Sequence, residues 1–430
     1  MSNSGDRAVS RRAVLGGAAA GVAGAGLAPA WPAHAGTGSA HWPVDQDSVD
    51  AVASRLDRDL IELRRDIHRH PEVAGQEVRT AAVVARRLRA AGLDVTTGVG
   101  GHGVVGVLTG AHHGRTVAYR ADMDAVPPDQ QIGGGTQLAH LCGHDLHTAI
   151  GVGVAEVLAR LRDRLTGTAV FVFQPAEESL GGAAAMLDAG VFDRIRPAEI
   201  HALHCGPIPV GRFLVTPGFG LPGQDRGVVT LTGSDALARA QGLAAQIAAL
   251  GTVSPPATPA DLERLVAEIQ TADGPLARFV FMRAEAAGTV GQAEVRLSYR
   301  CWPEDRYVEI RRDVDRLARS SGAASVAFPA APFPAMVCPE WEGQAIKRYL
   351  RQTVGRDQVL TMRAALPFSG EDFALFLRRV PGSFTFLGVR SPGAAIETSY
   401  PHFVAFDPDE RAIGHGVRAM AGWLARRTRP

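Results

Sequence analysis

Thr168 to Phe173 reads TAVFVF, apolar on both sides of an extended chain. Successive residues of a strand point to opposite faces, so a strand with no polar face must be covered on both. That is the setting of a central strand in a parallel sheet flanked by helices. The surrounding chain agrees. The short β-branched runs GVVGVL and RTVAYRADMDAV come before it, the helical TAIGVGVAEVLARL intervenes, and a helix over GGAAAMLDAGV and the strand-like EIHALHC follow. Alternating strand and helix predict an α/β layer structure with a largely parallel central sheet. Upstream, Val52, Leu56, Leu60, Ile61 and Leu63 recur at helical spacing between Val49 and Arg65, and EVRTAAVVARRLRAAGL repeats the pattern before Gly92, so two amphipathic helices open the domain.

The texture changes between about residues 223 and 331. GVVTLTG, an alanine-rich helix, a linker with Pro255, Pro256 and Pro259, the helix ADLERLVAEIQ and the strand AEVRLSYRCW replace the α/β alternation, which returns after FPAAPFPAMVCPEW. The expected organisation is a discontinuous catalytic domain, residues 45–220 and 335–430, carrying a smaller α+β insertion over 223–331. Residues 1–35 hold paired arginines, a short glycine-rich apolar run broken by Pro29, and an Ala-x-Ala ending at Ala35. This reads as a cleavable twin-arginine export signal rather than a membrane anchor, and places the mature protein outside the cytoplasm. A net charge of +1 over 430 residues implies neither a nucleic-acid nor a membrane-surface partner. Cys142, Cys205, Cys301 and Cys338 are too few for a disulfide scaffold, although export permits a Cys301–Cys338 bridge.

HLCGHDLHTA, residues 140–149, concentrates the chemistry. Cys142 and His144 are two apart, so in an extended segment both side chains point the same way, at the positive end of the following helix. A thiolate is favoured there as ligand or nucleophile. Thiolate and imidazole suit zinc and related divalent ions, and carboxylates complete a catalytic set. QPAEES supplies Glu177 and Glu178 where the apolar strand ends, the usual place for ligand sites in open α/β sheets, and HALHCGP supplies His204 at another strand end. One glutamate can hold metal while its neighbour takes a proton from water. Each also has a plain alternative: a strand-end histidine packs or caps, and adjacent glutamates are solvated. No local cysteine-protease signature surrounds Cys142.

RRDIHRHPE, RADMDAVP, HLCGHDLHTA, VFQPAEES, HALHCGP and SGEDFALF, in this order, resemble the successive motifs of the M20 peptidase family, in its aminoacylase-like amidohydrolase branch. The resemblance implies a ferredoxin-like inserted domain acting as lid, through which a homodimer can form. It implies one or two divalent ions, zinc or manganese, with Cys142 bridging and His144, Glu178 and His204 as ligands. Glu177 becomes the general base of a metal-activated water attacking N-acyl amino acids or small peptide-like amides. Asp122, Asp124, Glu371 and Asp372 become carboxylates that orient ligands, while His68 and His70 are structural at a helix end.

Two departures stand out. The family's C-terminal histidine precedes a proline by two residues, whereas TSYPHFVAF places Ser399 there and His402 after Pro401. Either His402 reaches the second metal through a shifted loop, or that metal is held weakly or absent; serine's poor ligand chemistry favours the second. The lid reads LTGSDALARAQG and AEAAGTVGQAEV, without the family's substrate-clamping histidine and asparagine, while Arg300 keeps the family's strand arginine and is the expected substrate contact. These losses leave open a homologue that binds a ligand with little or no hydrolysis.

Overall fold

The computed structural model describes residues 43–430; the export signal read over residues 1–35 lies outside the described residues. The chain opens with α1 (Gln46–Ala53), α2 (Asp57–His68) and α3 (Val78–Ala90), then the hairpin β1 (Asp94–Val99) and β2 (Gly103–Thr109). Next come β3 (His112–Asp122), α4 (His144–Arg160), β4 (Thr166–Gln174), α5 (Gly182–Asp188), α6 (Val191–Ile195), β5 (Glu199–Pro209) and β6 (Phe213–Val215). After β7 (Gly220–Leu221) the inserted segment carries β8 (Asp225–Thr232), α7 (Ala236–Ala248), α8 (Pro259–Glu268), β9 (Phe279–Gly288), β10 (Gln292–Trp302), α9 (Tyr307–Ser320) and β11 (Ser325–Ala327). The chain returns through β12 (Met336–Val337), α10 (Glu340–Thr353), β13 (Val359–Thr361), α11 (Phe373–Leu377), β14 (Gly382–Arg390) and α12 (Arg411–Arg427).

The large sheet has eight strands in the order β1-β2-β4-β3-β5-β14-β6-β13. Its centre, β4, β3, β5 and β14, is parallel, while the β1–β2 hairpin and β6 add antiparallel neighbours. The apolar strand has the predicted place. Phe171 and Phe173 of β4 enter the core shared with α2, α4 and α12, and Val170 and Val172 enter the core on the opposite face with Ala183, Met186 and Phe376. Covering both faces this way leaves only the strand ends for polar chemistry.

The long helix expected from Val49 to Arg65 is two helices. Ser54 caps α1, and Asp57 and Asp59 open α2, where negative charge is stabilised by the helix N-terminus. Arg418 of α12 fixes the break, donating to Asp57 at 2.6 Å and to the Ser54 hydroxyl at 2.9 Å. All four cysteines are free: Cys301 lies in the inserted core, and Cys338 lies in the catalytic domain beside Thr216 and Phe384.

The insertion builds its own antiparallel sheet, β11-β8-β10-β9, in β-α-β-β-α-β sequence order, the ferredoxin-like arrangement. One sheet face packs against α7 and α9 through Val229, Leu243, Val295, Leu297 and Val314. The two connecting segments pair with each other as β7 and β12. The additional helix α8 is different. Its Leu262, Leu265 and Val266 join the catalytic core, and the Ile269 carbonyl accepts the Arg363 N–H at 2.7 Å and the Ala364 N–H at 3.2 Å. Among the described residues, no helix is long and apolar enough to cross a membrane.

A buried ion pair fixes the insertion's interior. Arg311 grips the buried Asp225 through two bonds of 2.8 and 3.0 Å, and Tyr299 donates to the same carboxylate at 2.6 Å. Arg311→Met strands a buried charge and is expected to cost about 3–5 kcal/mol. Tyr299→Phe leaves the pair intact and should cost less, about 1.5–3 kcal/mol for a hydrogen bond to a charged group. Urea unfolding of the full chain measures both, and equal losses would contradict this ordering.

Candidate metal centre

The ends of β3 and β4, the start of α4 and the middle of β5 converge on one site. Asp122 ends β3, with Asp124 just beyond it; Cys142 and His144 lie at the start of α4; Glu177 and Glu178 occupy the turn after β4; His204 is on β5. Cys142 and His144 do not share an extended segment. Gly143 between them is left-handed (φ 83°), and His144 is the first residue of α4. A Cβ at position 143 would lie 2.4 Å from the Cys205 sulfur, so both the backbone angle and the close approach require glycine.

Asp124 organises the acid pair. Its carboxylate accepts the Glu177 N–H at 3.1 Å and the Glu178 N–H at 2.9 Å. The turn also places Ala176 and Leu180 at positive φ, 56° and 57°, a strain held by the buried Glu77, which accepts the Ala176 N–H at 2.8 Å. Asp124 further receives His144 Nδ1, at 2.9 Å to its carbonyl and 3.2 Å to its carboxylate. That leaves His144 Nε2 pointing inward, 3.8 Å from each of Asp122, Glu177 and Glu178.

The same division recurs on two more histidines. His204 donates from Nδ1 to the Cys205 carbonyl at 2.7 Å and turns Nε2 toward the Cys142 sulfur, 3.7 Å away. His402 faces the Gln130 carbonyl with Nδ1 at 3.2 Å and brings Nε2 to 3.4 Å from Glu178. One ring nitrogen committed to a carbonyl and the other free is the arrangement of metal-binding imidazoles. His147 differs: Nδ1 meets Asp122 at 2.6 Å and Nε2 accepts the Cys205 N–H at 2.8 Å, so neither nitrogen is available.

His402 stands where the shifted-loop alternative would need it. Its backbone is left-handed (φ 70°), pinned by its N–H to the Leu141 carbonyl at 2.7 Å and by the Ile132 N–H to its own carbonyl at 2.8 Å. Ser399 turns away and donates to the Ile396 carbonyl at 2.9 Å. His68 bonds Asp145 at 2.8 Å outside the cluster, and His70 bonds the Asp66 carbonyl at 2.8 Å on the surface.

The donor set fits a divalent cation. Single ligand atoms of Cys142, His144 and Glu178 lie within 4.8 Å of one another. The buried His144 Nε2 and Glu178 Oε1 have no hydrogen-bond partner among the described residues, the deficit a bound cation would satisfy. Burial opposes charging His144, but Asp122 and Asp124 outweigh it and push the imidazole up to about 10. Burial, then His147, holds His204 well below its ordinary value and keeps it neutral. Burial, then Glu178, pushes the Cys142 thiol well above its ordinary range, so the thiolate expected at the helix end does not form without a cation. This also disfavours a free thiol nucleophile.

Behind these groups sits Arg120, which the sequence reading left without a role. It lies two residues before Asp122 on β3, hence on the same strand face. Its guanidinium is buried and bonds Asp122, Glu371 at 2.9 Å, Asp372 at 3.3 Å and Gln174 at 2.9 Å. Asp372 also accepts from Gln174 at 2.7 Å and from the Ala183 N–H at 2.9 Å. Burial still raises Glu371 to about 7 and Asp372 to about 6. Burial, followed by Glu371 and Glu178, raises Glu177 well above the usual carboxylate range. Arg300 reaches over from β10 to Gly370, where a Cβ would fall 2.3 Å from its guanidinium, and donates to the Pro222 carbonyl at 3.3 Å.

Residues 118–426 match the model of peptidase family M20/M25/M40. The chain belongs to the M20 peptidase family. It is 30% identical to the N-acetylcysteine deacetylase of Bacillus subtilis over 369 residues, 82% of this chain and 93% of that protein. It is 28% identical to the N-acetyldiaminopimelate deacetylase of Bacillus pumilus over 391 residues, 85% and 97% of the two chains. Among solved structures it resembles the Bacillus subtilis YXEP protein, a dinuclear metal-binding peptidase of the M20 family, with a TM-score of 0.66, 28% identity and 88% and 99% coverage. The α/β domain with its antiparallel insertion is therefore an M20 fold, and the protein is an amidohydrolase of C–N amide bonds.

Two outcomes follow from this geometry. The folded His144 pKa of about 10 lies above the ordinary 6.5, so its charge contributes stability below 6.5 that is lost as pH rises through 10. A cation must displace that proton and the Cys142 proton, so the free energy of Mn2+ binding should grow from pH 6 to pH 9 by up to about 1.4 kcal/mol per pH unit for each proton released, seen as a growing rise in Tm on adding Mn2+. A flat or falling trend contradicts these ligands. His402→Ala should lower the metal content per chain measured by mass spectrometry, and an unchanged content removes His402 from the ligand set.

Proposed function

We propose that the protein hydrolyses N-acyl amino acids or small peptide-like amides, with Glu177 as the proton carrier. The carrying observation is Glu177 itself. It lines the cavity 3.8 Å from His144 Nε2, and among the described residues no group hydrogen-bonds its carboxyl. A structural carboxylate is normally held by protein partners; one that opens to the cavity without them, with its proton affinity raised, suits transfer.

Cys142, His144, Glu178, His204 and His402 would hold one or two divalent ions, zinc or manganese. Bound there, such an ion polarises an amide carbonyl and acidifies nearby water. Glu177 then takes the proton of the attacking water and delivers it to the leaving nitrogen. Asp124 keeps the Glu177–Glu178 turn fixed, so the two carboxylates divide these roles. Arg300, with Arg226 and Arg283 on the same side of the cavity, offers guanidinium to the substrate's carboxylate. No ion pair occupies these three arginines among the described residues. The deacetylases resembling the chain support an N-acyl amino acid as substrate class.

The full chain, supplied with Mn2+ or Zn2+ and given a panel of N-acyl amino acids, should release free amino acid and stop on chelation. Glu177→Ala should lower kcat by about 100- to 10,000-fold. Release no greater than that variant's on every substrate overturns the proposal, as does activity lost to thiol alkylation but not to chelation.

A further inference from the structure

The metal-centre cavity, of about 750 Å³, has two unlike ends. One is cationic, with Arg226, Arg283 and Arg300 on the inserted sheet. Arg226 and Arg283 both stand opposite Ser298 on the central strand β10, so they and Arg300, two residues further on, share one sheet face. The other end is apolar and begins at a candidate metal ligand: the His204 ring lies 5.8 Å from the Phe384 ring and 6.0 Å from that of Phe386. Beyond these rings the wall continues through Leu214 of β6 and Met362 after β13. α8 and its capping residue add Leu265, Val266 and Ile269 to this apolar lining. No charged side chain lining the cavity belongs to this wall.

α8 is not a loose flap. Its end is stitched to the catalytic domain by the two hydrogen bonds to the Ile269 carbonyl, Glu263 pairs with Arg390, and Leu262 and Leu265 are buried in the catalytic core. Thr258 and Asp261 form a reciprocal capping box at its start, and Pro259 opens its first turn, which fixes where the helix begins. The helix therefore presents a set apolar surface to the cavity.

Resting on the hydrolase reading above, we propose that α8 builds an acyl pocket and that the substrate's acyl group is bulky and apolar, larger than acetyl. The amino acid's carboxylate lies toward Arg300, and the acyl chain runs past Phe384 and Phe386 beneath Leu265, Val266 and Ile269. Each further methylene removes apolar surface from water, for a gain of at most about 3- to 4-fold in kcat/KM.

The test is an acyl series on one amino acid, from acetyl through butanoyl and hexanoyl to octanoyl with a benzoyl member, assayed on the Mn2+-supplied full chain. The expected result is a steady rise, with octanoyl at least tenfold above acetyl. Val266→Trp, which blocks the wall, and Leu265→Ala, which trims it, should each lower the octanoyl-to-acetyl ratio at least fivefold. Because either variant can disturb folding, calorimetry on the Glu177→Gln chain provides a second readout: octanoyl should bind tighter than acetyl, with a negative heat-capacity change. Tighter binding of octanoyl with no turnover of any substrate upholds the pocket and overturns only the hydrolase reading. Equal or better acetyl turnover and binding, or a ratio unmoved in both folded variants, overturns the pocket while leaving hydrolysis intact.

Discussion

The site depends on one buried guanidinium. Asp122, Glu371 and Asp372 converge in a buried interior beside Glu177, an arrangement that would force some of them to stay protonated without a counter-charge. Arg120 supplies it. Burial disfavours its charge, yet the three carboxylates outweigh that penalty and raise its pKa, while Arg120 in turn holds Asp122 well below the usual carboxylate range. Breaking such a network by removing one partner typically costs about 3–5 kcal/mol, because the remaining charges are left uncompensated. The consequences pass outward through single hydrogen bonds. An ionised Asp122 fixes the His147 tautomer, His147 accepts the Cys205 N–H, and the Cys205 carbonyl receives His204 Nδ1. The orientation of a candidate ligand thus rests on a charge several residues away.

A second carboxylate does comparable work for the acid pair. Asp124 is the common acceptor for His144 and for the N–H groups of Glu177 and Glu178. Glu77 braces the turn from outside by accepting from Ala176 and Gly75. Non-glycine residues at positive φ cost about 1–3 kcal/mol each. Three of them, Ala176, Leu180 and His402, flank the groups that face the cavity. The fold spends stability there to aim side chains that a relaxed loop would let turn toward solvent.

The catalytic half of this architecture was legible because its signals are local. A strand apolar on both faces has one environment, and Glu177 and Glu178 sit where it ends; Cys142 and His144 lie at the start of the helix before it, and His204, expected at a strand end, lies inside β5. What was hidden depended on partners far away in the chain. The helix containing Leu262 and Leu265 shows the same amphipathic pattern whichever core it joins, so its docking on the catalytic domain was invisible. The break after Ala53 depends on Arg418. His402 reaches Glu178 through an uncommon backbone angle, which the motif's changed spacing obscured. Arg120 did carry a signal: an arginine two residues from an aspartate in an otherwise apolar, buried strand has to be paired, and only the identity of Glu371 and Asp372 as partners needed the fold.

The insertion contributes to the site through two unlike surfaces. Arg300 crosses to Gly370, where only the absence of a side chain lets the guanidinium lie beside the loop carrying Glu371. α8 adds an apolar face to the same cavity. The family's polar lid groups, a histidine and an asparagine, are missing from the inserted segment. A hydrogen-bond clamp is directional and discriminates strongly, since an unmatched partner is left buried and unsatisfied. An apolar wall is non-directional and rewards area. Replacing one by the other shifts selectivity from the pattern of polar atoms around the amide to the size of the group being removed. It also makes the position of α8, set by the Ile269 carbonyl and the Thr258 cap, the geometric quantity on which that selectivity turns.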